Sequence, residues 1–88
     1  MPQKGKLVHE FKLGRIRAAI FANPTKNRDV WFNTAISRRY SDNGRLKDAD
    51  TYSHEELPIV AKAADMAYSW IWRRRMALDK AAKKHGEK

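Results

Sequence analysis

At 88 residues the chain holds one domain at most, with a core small enough that burial against a partner becomes a reasonable expectation. Its 19 Lys and Arg against 10 Asp and Glu give a formal charge of +9, which repels other copies and attracts polyanions, nucleic acid first among them. With no cysteine there is no disulfide scaffold, thiol nucleophile or thiolate metal site, and a reducing cytoplasm is the expected location. The longest wholly apolar run, Ala18 to Ala22, falls far short of the roughly 20 residues that cross a bilayer. The polar start Met1-Pro2-Gln3-Lys4 does not read as a signal peptide, so a soluble protein is expected.

Taken in chain order, Met1 to Lys6 shows no apolar periodicity, and residues 1–10 read as a flexible basic arm ahead of a single domain over 11–76. Gly14 is placed at a bulge. From Arg15 to Phe21 the residues alternate as a strand does, with Ile16, Ala18 and Ile20 on one side and Arg15, Arg17, Ala19 and Phe21 on the other. Asn23 to Asp29 is rich in turn formers and predicts a hairpin loop carrying Lys26 and Arg28. Val30 to Tyr40 is a second strand, with Phe32, Thr34 and Ile36 on one face and Trp31, Asn33, Ala35, Ser37 and Arg39 on the other. After the turn signal Ser41-Asp42-Asn43-Gly44, Leu46 to Tyr52 returns as a third strand.

Ser53-His54-Glu55-Glu56 matches a capping box, so a helix is expected to start at or a few residues after it. On a helical wheel Leu57, Val60, Ala61, Ala64, Ala67, Tyr68, Ile71 and Trp72 fill one apolar arc. Ile59, Ala63, Met66 and Trp70 fill a second, nearly opposite. One sheet covers one helix face, so the second arc predicts a homodimer interface through Ile59, Ala63, Met66 and Trp70, with Trp70 as anchor. Residues 77–88, with Lys80, Lys83 and Lys84 among alanines, read as a basic C-terminal extension. The fold class is therefore α+β, a small antiparallel meander of three strands, or four, followed by one long helix.

No catalytic chemistry is legible. His9, His54 and His85 stand far apart, outside any metal-ligand spacing, and Asp48 and Asp50 read as a solvated pair rather than a cation site. Neither a nucleophile elbow nor a Gly-rich phosphate loop is present. The chain therefore reads as a non-enzyme, with no metal, cofactor, small-molecule substrate or membrane partner. The informative constellation is the face that would carry Arg15, Arg17, Phe21, Trp31, Asn33, Ser37 and Arg39, where cations alternate with rings. Cations neutralise phosphates and flat rings stack on unpaired bases, the mixture that single-stranded nucleic acid requires.

This layout resembles the single-stranded-DNA-binding modules of the positive-cofactor-four, Whirly and PUR type. More narrowly, Ile16 to Phe21, Trp31-Phe32, Ser37 to Tyr40 and Ala64 to Ile71 are similar to a set of small bacterial proteins, the likeness covering about Lys12 to Trp72. The broader resemblance implies dimerisation through the helix and nucleic acid held on strand faces and connecting loops. Here those would be Arg15, Arg17, Phe21, Trp31, Arg39 and the Lys26–Arg28 loop. Asp48 and Asp50 depart from a phosphate-facing surface. The expected function is non-catalytic binding of single-stranded DNA across the sheet of a homodimer, with RNA as a variant. The alternative is a protein-interaction module of a bacterial accessory element, using an open sheet edge.

Overall fold

A computed structural model describes residues 5–25 and 29–86, with side chains as far as Lys80. Strands β1 (Lys6–Leu13), β2 (Ile16–Pro24), β3 (Val30–Asp42) and β4 (Arg45–Ala49) form one antiparallel sheet in the order β1-β2-β3-β4, followed by helix α1 (Leu57–Gly86). The α+β layout is the expected one, and the fourth strand is β1, whose first five residues fall inside the stretch read as a flexible arm. A bulge explains the difference. The partner register of β1 shifts between Leu7 and His9, leaving Val8 as the extra residue. Leu7 thus joins the face opposite to His9, Phe11 and Leu13, and the alternation that announces a strand is broken at its start.

The turns follow their residues. Gly14, with φ 65°, occupies the first central position of the two-residue β1–β2 hairpin, where a II′ turn demands a positive angle, so it marks a turn and not a bulge. Asn43 and Gly44, at φ 53° and 81°, are the two left-handed positions of a I′ turn between β3 and β4. β4 stops at Ala49, short of the expected Tyr52. The capping box forms in part: the Ser53 amide donates to Glu56 Oε1 at 3.2 Å, and the regular helix begins four residues on, at Leu57.

α1 packs on β1, β2 and β3 and, among the described residues, makes no contact with β4. Its inner face is set by size. Ala63 and Ala67, both essentially buried, let the backbone approach the sheet over Ile16 and Ala18. Phe11, Leu13, Ile36, Tyr52 and Val60 close the rim of this core. Burying Ile16 and Ile20 contributes about 1.5–3 kcal/mol each. Trp70 lies flat on the His9 ring at 5.2 Å and edge-on to Phe32 at 6.0 Å, closing the β1 side. At about 1.5 Å per residue the 30-residue helix is about 45 Å long. It outruns the sheet, and from Met76 to Lys80 every side chain is exposed.

This packing corrects the expected dimer interface. Ala63 is fully buried, Met66 and Trp70 are partly buried, and Trp70 packs against the protomer's own sheet. Of that set only Ile59, 39% exposed, is left at the surface. The inner face straddles the two arcs of the helical wheel, with Val60, Ala67 and Ile71 coming from the first and Ala63, Met66 and Trp70 from the second. Left outside are Leu57, Ala61, Ala64, Tyr68 and Trp72.

Candidate nucleic-acid interface

The face of the sheet turned away from α1 is assembled by register. Arg17 pairs with Ser37, Phe21 with Asn33 and Asn23 with Trp31. Arg39 donates its amide to the Arg15 carbonyl at 2.9 Å, extending the same alignment past the strand end. Arg15, Arg17, Phe21, Trp31, Asn33, Ser37 and Arg39 therefore belong to one side, since partners across a pleated pair share a face. Lys26 and Arg28 lie outside the described residues.

Among the described residues, cations and rings do not interleave on this face. Arg15, Arg17 and Arg39 gather at the end nearest the two-residue hairpins, joined by Lys12, which β1 places opposite Arg17. Phe21 lies opposite Leu7, and Trp31, 60% exposed, stands beyond them at the far end. Six residues of strand, about 20 Å, separate Arg15 from Phe21. Lys12 escaped the sequence reading because its strand did. The alternation of Phe11 and Leu13 with Glu10 and Lys12 was the signal that could have found it.

Two carboxylates enter the cationic end. Glu10 Oε1 accepts from Arg17 Nε at 2.5 Å and Oε2 lies 3.8 Å from Lys12 Nζ. The hydrogen bond from Arg17, reinforced by the charges of Arg17, Lys12 and Arg39, outweighs desolvation and holds the Glu10 pKa below its ordinary value. Arg39 Nε donates to Asp48 Oδ1 at 3.3 Å across the β3–β4 pair. Asp50 lies beyond β4, near Tyr52. A cleft of about 550 Å³ opens beside this end, lined by Gly14, Arg15, Arg39, Tyr40, Ser41 and Leu46.

Not every arginine of β3 belongs to the face. Arg38 points to the helix side, where Nε donates to the Thr51 carbonyl at 2.9 Å and lies 3.6 Å from Glu56, tying the loop before α1 to the sheet. In the same corner the Tyr52 hydroxyl donates to the Ile36 carbonyl, and burial, with the Asp50 charge, pushes its pKa up.

No protein-family model, curated protein or solved structure matches the chain. Among the described residues no group of three or more His, Asp or Glu is placed to hold a metal ion. No helix among them is long and apolar enough to cross a membrane.

Proposed function

We propose that the protein is a non-catalytic nucleic-acid-binding protein that holds single-stranded DNA across the open face of its sheet. The observation that supports this reading is the division of one uncovered face into a cationic end (Lys12, Arg15, Arg17, Arg39) and an apolar, aromatic end (Leu7, Phe21, Trp31). A single strand offers both partners at once, phosphates for the first and unpaired bases for the second. The ion pairs already present are no barrier. The Arg39–Asp48 pair is exposed and contributes about 0–1 kcal/mol, so a phosphate competes readily with Asp48, and the half-buried Arg17–Glu10 pair leaves the other Arg17 donors for a phosphate.

The proposal keeps a homodimer but seats it on the outer stripe of α1. Tyr68 and Trp72 are 63% and 53% exposed there and Leu57 is 50% exposed, with Ala61 and Ala64 between them. Such a stripe is what a soluble protein usually covers. RNA binding is the variant in which the backbone is not discriminated.

Two substitutions test the division of labour in an oligothymidylate titration. Trp31→Ala should weaken binding by about 1–3 kcal/mol with an unchanged salt slope. Arg17→Ala should weaken it for all sequences and flatten the slope of log affinity against log salt by about 0.7. If both variants stay folded and bind like the parent, the reading falls and the protein-interaction alternative, supported by the same stripe on α1, replaces it.

A further inference from the structure

The described cations of the open face stand at the wrong end to serve a base stacked on Trp31. A nucleotide there needs a positive group for its own phosphate, and among the described residues the cation beside Trp31 comes from the helix. Arg75 is carried to this corner because α1 crosses toward the end of β3. Its Nη1 donates to the Val30 carbonyl at 3.3 Å, the residue next to Trp31, and the side chain is partly buried. Trp31, Phe32, Ile71 and Arg75 together line a cleft of about 330 Å³, within the range of pockets that accept a small planar ligand. The cleft lies at the edge of β3 that β4, paired only with Arg38 to Asp42, leaves open, so residues from both faces of the sheet border it.

We infer that this cleft is a nucleotide subsite, in which one unpaired base stacks on Trp31 while its phosphate meets the Arg75 guanidinium. The inference rests on the single-strand reading above and extends it, since the strand then turns off the sheet at Trp31 and continues along α1. A guanidinium carries five N–H donors in a planar fork, so the one held by Val30 fixes its position while others remain to face a phosphate. Ile71 and Phe32, both half-buried, add apolar surface to the same cleft. Arg74 beside Arg75 and Lys80 further toward the exposed end of the helix are both exposed and available to the onward backbone.

The test is a double-substitution cycle on the full chain, with Trp31→Ala, Arg75→Ala and the pair, read by affinity for a ten-residue oligothymidylate. Folding is checked by thermal melting. Each single change should lower affinity about 5- to 50-fold, and the double should lose less than the product of the two, because both act on one nucleotide. Arg75→Lys should recover only part of the loss, since a point charge replaces a fork. Thymidine monophosphate should quench fluorescence in the parent and not in Trp31→Phe, where the ring stays but the reporter is removed. If Arg75→Ala and Arg75→Lys both bind as the parent does, or if the two losses multiply independently, the subsite is wrong while sheet binding stands. If monophosphate leaves the parent's fluorescence unchanged, the subsite is likewise wrong. A parent that binds no single strand overturns the functional reading and this inference with it. Fluorescence that changes with protein concentration instead of with oligonucleotide would assign the cleft to a second copy of the chain and also overturn it.

Discussion

Glu10 is the residue on which the cationic end turns. Its carboxylate sits between Arg17 and Lys12, and their attraction keeps its pKa below the ordinary value in the folded chain. A carboxylate lowered by folding stabilises the fold at neutral pH. That contribution is lost as pH falls from the ordinary carboxylate range through the lowered pKa. Thermal melting followed against pH should therefore show a smaller acid-side decline in Glu10→Gln than in the parent, and equal slopes would mean that the pair is not formed in solution. The same substitution removes a competitor for phosphate. At neutral pH it should raise affinity for single-stranded DNA about 2- to 5-fold, the scale of one exposed ion pair. A loss of affinity would instead mean that Glu10 orients Arg17 for binding. Sequence could not supply this role, because Glu10 meets Arg17 only through the β1–β2 register.

Among the elements, α1 was the most legible and its orientation the least. Capping residues and helical periodicity announced the helix, but apolar residues on two sides left its inner face to be set by the shape of the sheet, and that face draws on both arcs. Ala63, from one arc, and Ala67, from the other, lie together at the centre of that face, and size complementarity is invisible without the partner surface. The consequence is a pair of tryptophans two residues apart with opposite roles. Trp70→Ala should destabilise the fold by about 2–4 kcal/mol in chemical denaturation, since it removes the cover over His9 and Phe32. Trp72→Glu should leave that stability nearly unchanged and convert a dimer to a monomer in sedimentation at micromolar concentration. The reverse pattern would restore the interface first expected on the Trp70 arc. β1 shows the complementary failure. Its apolar residues alternate from His9 to Leu13, but the bulge at Val8 puts Leu7 out of phase, and a short alternation beside a Gly- and Lys-rich start does not stand out as a strand.

At the scale of the molecule, a two-layer body 59 Å long, 27 Å wide and 16 Å thick carries a helix that extends beyond its sheet. Arg75 still reaches the sheet, its guanidinium donating to the Val30 carbonyl, whereas Met76 to Lys80 are exposed. A chain ending at Arg75 should therefore keep a cooperative thermal transition, and loss of that transition would make the extension part of the fold. The grouping of Arg15, Arg17, Phe21, Trp31, Asn33, Ser37 and Arg39 on one face was legible because β2 and β3 pair without irregularity over nine aligned positions. Their separation into a cationic and an aromatic end was not, because alternation reports the face of a residue and says nothing of how charges distribute along it. Binding on the open face is decided by a titration of the parent chain with a single strand and with the duplex of the same sequence, at about 50 and about 200 mM salt. The single strand should bind more tightly at both concentrations, because paired bases cannot reach Phe21 and Trp31. Its affinity should fall about 5- to 50-fold between them, as expected for two to four phosphate contacts. Equal or tighter binding of the duplex, or no binding of the single strand at the lower salt, would contradict binding on the open face.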